Sequence, residues 1–401
     1  MPTCVAASPP ALCPRVAARR TRPGLRAASA ASHEPDALFD ALRAWVHARG
    51  GYLSPALRLS ASEHGGRELR VAVPVLADTL LASLPRSCCL CLDDEEERPA
   101  GLQLPWPARM ALLMLAAMQD SSGFSAVVAC WPPSTVPVGI LAPWPVLDLL
   151  SAALPDVRDT AAGLQLRLEE AKAKACPVGV PAADFEWAVS LALSRVARPS
   201  LSSLDLLAPV FDLANHEGGD QAALQWVWCP AAEALHVHAA RDLEPGPARV
   251  SYGDHGNTDL WLAYGFTLPD NPKDTIVLWP DMLACAEWVE EHMTGGGGAN
   301  TAAELQVTVE EELEALRAGR HGELLGPLLR WTDSDAAGAR AAVHRRAQQL
   351  VDALDGSLAS LDGEGWRGGE AQGAEFLPSV RCLLTAKRLL LHELLAHTAL
   401  A

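Results

Sequence analysis

The chain has 401 residues, 49% of them hydrophobic, with 32 basic and 49 acidic side chains and a formal net charge of −17. Its length allows two or three domains, and its acidity argues against a nucleic-acid-binding surface. The ten cysteines show no paired CxxC spacing that would indicate zinc, so we interpret the cluster of Cys88, Cys89 and Cys91 as ordinary packing.

The first 33 residues differ in composition from the rest of the chain. They are rich in Ala and Ser, have no acidic residue before Glu34, and contain Arg15, Arg19, Arg20, Arg22 and Arg26. This composition is typical of an organelle transit peptide, and a disordered tail is the alternative. We expect the chloroplast stroma as the destination, with the mitochondrion as second choice because composition does not separate them.

The predicted elements of the first half are strands followed by a helical region. Apolar spacing predicts an amphipathic helix over 37–50. ELRVAVPV (68–75) and TLLASLP (79–85) are typical of short strands. Further helices are predicted for ARMALLMLAAMQ (108–119), TAAGLQLRLEEAKAKA (160–175) and DFEWAVSLALSRVA (184–197). The longest uncharged stretch, 121–147, is interrupted by five prolines, so we expect no membrane-spanning helix.

Strands return in the second half, and a helical tail follows them. We predict strands for LQWVW (224–228), ALHVHAA (234–240), ARVSYG (248–253) and TIVLW (275–279), and helices from Met282 onward. His236 and His238 alternate on one predicted strand without a third ligand, so we interpret them as structural.

Polar side chains collect at three places in this strand-rich half. FDLANHEGGD (211–220) follows the apolar run LLAPV and carries Asp212, Asn215 and His216 within five positions. Tyr252 stands in VSYG, and Tyr264 follows it twelve residues later in LWLAYGF. Asn-His alone would be explained as a turn that satisfies local backbone groups, so the significance lies in the combination.

The combination resembles the SET-domain protein methyltransferases, and more narrowly the branch typified by the Rubisco large-subunit lysine methyltransferase. WAVSLALSRVA, DLANH, VSYG and AYGFTLPDNP stand where that branch has WA…SR, D-x-x-NH, ISYG and YGF. The resemblance implies an α+β chain. A SET-domain β-fold would occupy 34–280, with a helical insert at about 104–200, and an all-α substrate-binding domain would occupy 281–401.

The resemblance also implies a chemistry. These enzymes transfer a methyl group from S-adenosylmethionine to a lysine of a protein substrate and use no metal, and a similar branch methylates histidine. Rubisco large subunit and fructose-bisphosphate aldolase are the acceptors that the resemblance suggests. We expect a monomer that binds neither nucleic acid nor membrane.

Site residues follow from the matched motifs. Tyr252 would be the catalytic tyrosine, and Tyr264 would line the lysine channel with Asp212 on the substrate side. Arg195 would contact the cofactor carboxylate and border the substrate. The other residues expected to bind the cofactor are Asn215, His216, Phe266, Gly65, Gly66 and Arg67.

Two departures from the branch pattern affect the cofactor site. Glu68 stands where a second glycine is usual, and Pro247, which we expect in a turn, lacks a backbone donor. The alternative function is therefore a non-catalytic SET scaffold that docks a partner through its helical tail. An outward-pointing Glu68 would favour the enzyme.

Overall fold

The computed structural model describes residues 35–62, 67–93, 104–119, 123–175, 179–199, 204–269, 271–279, 282–292, 336–362 and 373–399. The expected transit peptide and the predicted domain boundaries near residues 33 and 280 lie outside these ranges, as do Gly65 and Gly66.

Helices and short strands alternate as an α+β chain. The strands are β1 Tyr52–Leu53, β2 Leu57–Ala61, β3 Arg67–Val71, β4 Leu80–Pro85, β5 Leu90–Asp93, β6 Leu204–Leu207, β7 Leu224–Cys229, β8 Ala234–Ala239 and β9 Gly246–Pro247. The α-helices are α1 Pro35–His47, α2 Trp106–Gln119, α3 Ser125–Val128, α4 Trp144–Ser151, α5 Pro155–Ala175, α6 Ala182–Arg195, α7 Asn257–Tyr264, α8 Met282–His292, α9 Ala336–Asp362 and α10 Leu377–Ala399.

Three small antiparallel sheets form the β part of the fold. Their strand orders are β1-β4-β8-β7, β2-β3-β9 and β5-β6. Helices α2 to α6 all lie between β5 and β6, so they form an insertion between two paired strands. Buried side chains from the sheets, the inserted helices, α9 and α10 belong to one continuous core. None of the described helices is long and apolar enough to cross a membrane.

The predicted helices within the described residues are confirmed, and so are β3, β4, β7 and β8. The prediction of a strand over 248–253 was wrong. Val250 forms isolated parallel bridges with His216 and Leu224 instead of a ladder, because it passes between two segments. The predicted strand over 275–279 was also wrong: only Val277 forms an isolated β-bridge there, and Ile276, Leu278 and Trp279 are buried in the core.

Pro247 lies in a strand and not in a turn, which corrects the sequence-based expectation. It pairs with Arg70 at the edge of the β2-β3-β9 sheet. An edge strand accepts proline because one side of its backbone needs no ladder partner. The next residue resumes the ladder, since the Ala248 N–H donates to the Leu69 carbonyl at 2.8 Å.

Candidate active site

Tyr252 is fixed at both its backbone and its hydroxyl. Its N–H donates to Nδ1 of His216 at 3.1 Å, and its hydroxyl donates to the Ala214 carbonyl at 2.9 Å. The Val250 N–H donates to the Asn215 carbonyl at 2.9 Å, so the two motif segments run side by side. The DLANH and VSYG motifs, 36 residues apart at His216 and Tyr252, therefore form one local structure.

Four aromatic side chains surround this point. The ring centroids of Tyr252 lie 4.7 Å from Tyr264 and 5.0 Å from His216, and Phe266 lies 5.9 Å from His216 and 6.2 Å from Tyr264. Gly265 lies between Tyr264 and Phe266 in the chain, at the C-terminal end of α7, and its own φ is +80°. A Cβ there would lie 2.5 Å from the Pro137 carbonyl oxygen, so the tight turn that separates Tyr264 from Phe266 requires glycine.

Asp212 lies in a 3₁₀ turn that follows β6, with 2% of its side chain exposed. Its Oδ2 accepts a hydrogen bond from Nε1 of Trp131 at 3.1 Å and lies 3.9 Å from Nη1 of Arg195. That same Nη1 donates to the Asp212 carbonyl. Burial raises the pKa of the Asp212 carboxyl to about 6, and the Arg195 charge opposes this less strongly.

The pKa shifts of Tyr252, His216 and Tyr264 all favour the neutral ring. Burial raises the pKa of Tyr252 to about 12, and the nearby Arg195 charge lowers it by less. Burial also lowers the pKa of His216, and His255 adds to this. A neutral imidazole suits the observed geometry, since Nδ1 of His216 accepts the Tyr252 N–H. Tyr252 therefore carries a protonated hydroxyl at neutral pH.

A cleft of about 620 Å³ opens beside Tyr252. Four of the residues predicted from sequence line it, namely Arg195, Asp212, Tyr252 and Tyr264. His216 packs against Tyr252 and Phe266 packs against both tyrosines, but neither residue lines the cleft. The remaining wall is largely apolar and includes Ile140, Leu164, Leu193 and Leu262. The apolar part of this wall disfavours a charged amine.

Comparison with known proteins gives one kind of match. No protein-family model and no curated protein matches the chain. Solved structures of LSMT match it. A SET-domain structure of LSMT bound to lysine and AdoHcy matches with a TM-score of 0.56 and 15% identity over 91% of each chain. Rubisco LSMT bound to AdoMet matches with a TM-score of 0.57 and 15% identity over 92% of each chain. The chain has the SET-domain fold.

The β-sheets, the inserted helices and the helical C-terminal region predicted from the motifs are thus the elements of a SET fold. A third match, Rubisco LSMT bound to sinefungin and monomethyllysine, has a TM-score of 0.56 at 14% identity over 90% of this chain and 92% of that one. At this level of identity the likeness concerns the fold, and the roles of individual side chains depend on the geometry described above.

Several residues of this SET fold were missed by the sequence analysis. Trp131 holds the Asp212 carboxylate, and Nε2 of His255 lies 3.0 Å from the Tyr252 carbonyl oxygen. At the cleft wall, the Arg198 guanidinium lies 4.0 Å from the ring centroid of Trp106, an arrangement favoured by cation–π attraction. No motif marks these residues. The only signal was the high tryptophan content, twelve in the chain.

The N-terminal cofactor segment is described only from Arg67 onward. Nη1 of Arg67 donates to the Ala129 carbonyl at 3.1 Å, and Arg67 does not line the cleft. Glu68 points inward and not outward: it is 5% exposed, and its Oε1 accepts from Nη1 of Arg70 at 2.8 Å. Its charge is therefore compensated by Arg70, two residues along the same face of β3. A compensated carboxylate repels an anionic ligand far less than a free one.

His238 makes a local contact of its own on β8. Its Nδ1 lies 3.1 Å from the Asp78 carbonyl oxygen, and its ring is 6.2 Å from that of His236. Within the described ranges, no three His, Cys, Asp or Glu side chains are arranged to hold a metal.

Proposed function

We propose that this chain is a protein methyltransferase that uses S-adenosylmethionine and methylates a lysine side chain of another protein. The observation that carries the proposal is an aromatic cluster in a SET fold: Tyr252 and Tyr264 line a largely apolar cleft, and His216 and Phe266 pack behind them. Aromatic ring faces attract cations such as sulfonium and ammonium groups. The methyl donor carries such a charge as a sulfonium, and the acceptor lysine carries one until it loses its proton.

The residues around Arg195 fit the cofactor. Its Nη1 is engaged by Asp212, whereas its buried Nε has no hydrogen-bond partner among the described residues. An unsatisfied guanidinium donor beside a cleft suits a carboxylate. Asn215 and His216 follow Asp212 by three and four residues and are held by the VSYG segment, through the Val250 N–H and the Tyr252 N–H. Arg195, Asn215, His216 and Phe266 would hold the cofactor, which when bound supplies an electrophilic methyl group.

The chain's own contribution is positioning and desolvation. A lysine with a pKa of about 10.4 is neutral in roughly one molecule in 1,000 at neutral pH, so deprotonation costs about 4 kcal/mol. The apolar wall of the cleft disfavours the ammonium form and thereby reduces this cost. The Tyr252 hydroxyl, donating to Ala214, keeps oxygen lone pairs free to accept an amine N–H and orient the nitrogen.

Calorimetric titration of the full chain with S-adenosylmethionine tests the proposal. We expect micromolar binding that weakens at least about tenfold in His216→Ala, which corresponds to about 1.4 kcal/mol. His238→Ala is the matched control, since it removes a histidine on β8, outside the cluster. A folded wild-type chain that does not bind the cofactor would refute the enzyme and support the docking scaffold.

The acceptor is proposed on resemblance alone. Purified Rubisco large subunit and fructose-bisphosphate aldolase are each incubated with the chain and methyl-labelled S-adenosylmethionine, and peptide mass spectrometry locates the label. Label on a lysine supports the proposal, whereas label on a histidine shifts the acceptor to that residue. The Tyr252→Phe chain is the negative control.

The proposed site of action is the chloroplast stroma. The arginine-rich composition of residues 1–33 supports this. A fluorescent reporter fused behind these residues should enter the chloroplast in plant cells. Accumulation in mitochondria would select the second choice, and a cytosolic reporter would refute organelle targeting.

A further inference from the structure

A lysine from the C-terminal helix is buried completely against the SET part of the chain. Lys387 in α10 has no exposed side-chain surface. Its Nζ lies 2.5 Å from Oδ1 of Asp274 and also donates to the Thr275 carbonyl. A fully buried ammonium is costly unless it is paired and hydrogen-bonded. Both conditions are met, and both partners come from the segment that follows the YGF motif.

Asp274 connects this lysine to the start of α7. Its Oδ1 accepts from the Asn257 N–H at 2.8 Å, and its Oδ2 accepts from Nδ2 of Asn257 at 3.0 Å. Asn257 is itself buried, and it exchanges two hydrogen bonds of 2.9 Å with the backbone of Leu268. The carboxylate therefore fixes the first residue of α7 and the chain after Phe266 at once.

Both ends of this connected region reach the aromatic cluster. Nδ2 of Asn271 donates to the His255 carbonyl at 2.8 Å, and Nε2 of His255 lies 3.0 Å from the Tyr252 carbonyl oxygen. In the other direction, α7 begins at Asn257 and ends at Tyr264. The helix that Asp274 anchors thus carries the ring that packs 4.7 Å from Tyr252.

A second contact ties α10 to the same helix. Nε1 of Trp261, in the middle of α7, donates to Oγ of Ser379 at 3.1 Å. Trp261 is fully buried, and its ring lies against Gly139, where no Cβ would fit. Helix α7 therefore has little freedom to move unless α10 moves as well.

We propose that Lys387, Asp274, Asn257 and Asn271 form a positioning network through which the docking of α10 sets the arrangement of Tyr252 and Tyr264. In the enzyme this makes the C-terminal helices part of the catalytic apparatus, an inference that rests on the proposed function. An apolar pair of similar volume would fill the same space without the desolvation penalty. The charged pair instead fixes the orientation of its neighbours, because a carboxylate can accept four oriented hydrogen bonds at once.

Tyrosine spectroscopy tests the network without cofactor or acceptor. The chain has three tyrosines, so carbon-13 labelling of tyrosine gives three resolvable ring signals, assigned with Tyr252→Phe and Tyr264→Phe. Tyr52 packs on His47 and serves as the internal reference. Ring-current shifts depend on the spacing of stacked rings, so loss of the network should displace or broaden the Tyr252 and Tyr264 signals and leave that of Tyr52 unchanged.

The decisive variant is the double substitution Lys387→Met, Asp274→Asn, which removes both charges and leaves neither buried alone. Lys273→Met is the matched control, since it breaks an exposed ion pair with Asp254 at 3.6 Å in the same segment. The control should keep all wild-type signals. A folded double variant with wild-type Tyr252 and Tyr264 signals would overturn the proposal.

Should the double variant not fold, Asn271→Ala takes its place, because it leaves the buried Lys387–Asp274 pair intact. It removes the hydrogen bonds from Nδ2 to the His255 carbonyl and to Oδ1 of Asn257, and the one that Oδ1 accepts from the Lys273 N–H. Unchanged tyrosine signals in that folded variant overturn the network equally. The same samples are titrated with S-adenosylmethionine. If the wild-type chain does not bind the cofactor but the variants still displace the tyrosine signals, the network is supported and the proposed function is refuted. The two failures are therefore separable.

Discussion

We expect Asp212 to give the chain a pH-dependent stability, which the Asp212→Asn variant should isolate. Burial raises the pKa of this carboxyl from its ordinary 3.8 to about 6. That difference corresponds to about 3 kcal/mol of folding free energy. Because the folded-state pKa is the higher one, the folded chain holds more protons than the unfolded chain between these values. The free energy of unfolding therefore falls as pH rises through this window, and the loss is complete above pH about 6.

Urea unfolding at steps from pH about 4 to about 7.5 measures this dependence in both chains. The asparagine variant has no proton to gain at residue 212, and the other titrating groups are common to both chains and cancel in the difference. We expect the wild-type stability minus the variant stability to fall by about 2 to 3 kcal/mol across this range. A constant difference would refute the buried titration of Asp212. A difference that rises with pH would mean that pairing with Arg195 outweighs burial.

Trp131→Phe provides a companion measurement on the same carboxylate. The Trp131 indole N–H donates to Oδ2 of Asp212 at 3.1 Å and lowers its pKa. Without this donor the pKa should rise further, so the stability loss should occur at higher pH than in the wild-type chain. A pH profile that does not move would show that this hydrogen bond contributes nothing in solution.

Three further predictions concern the aromatic cluster and its surroundings. Tyr252→Phe should lower turnover about 10²- to 10³-fold in a methyl-transfer assay, as loss of an oriented active-site hydroxyl does elsewhere, and wild-type turnover would remove its catalytic role. Arg195→Met should weaken S-adenosylmethionine binding about tenfold or more by calorimetry, because a charge-assisted hydrogen bond is lost; unchanged affinity would place the cofactor carboxylate elsewhere. Gly265→Ala should lower the free energy of unfolding in urea by about 2 to 4 kcal/mol, since positive φ and a 2.5 Å approach to the Pro137 carbonyl oxygen both oppose a Cβ. An unchanged free energy of unfolding would contradict the requirement for glycine in this turn.

The helices were predictable because their apolar side chains recur over long stretches. Helices α2, α5 and α6 each have at least 14 residues, which is long enough for helical spacing to be recognised. β1 has only two residues, too few for an alternating pattern. Val250 shows the opposite difficulty: its neighbours look like a strand, yet its partners belong to two separate segments. Pairing across segments depends on tertiary structure, and no local pattern encodes it.

The site was predictable to the extent that its residues stand in contiguous motifs. Asn215, His216 and Tyr252 can be recognised because each stands in a short motif. The structure joins the two motifs through the hydrogen bonds from Tyr252 to His216 and from Val250 to Asn215. Trp131 is marked by nothing, since it reaches Asp212 across 81 residues of sequence. Lys387 reaches Asp274 across 113. Side chains that support a motif from a distant part of the sequence contact it only in the folded chain. Their identity therefore depends on tertiary packing and cannot be read from the motif itself.

Val210 shows what this support does to Asp212. It is a buried β-branched residue with φ of 75° and ψ of −51°, close to a γ-turn that non-glycine residues rarely adopt. Such a conformation costs about 1 to 3 kcal/mol and persists only where its surroundings enforce it. Here the turn directs the Val210 N–H to the Asp212 carboxylate, and the Asp212 N–H donates to the Ala208 carbonyl at 3.0 Å. The carboxylate is thereby held inward, against Trp131 and Arg195. In the proposed enzyme, an incoming lysine ammonium would have to compete with Arg195 for this carboxylate, so Asp212 would attract the acceptor only when that guanidinium binds another anion.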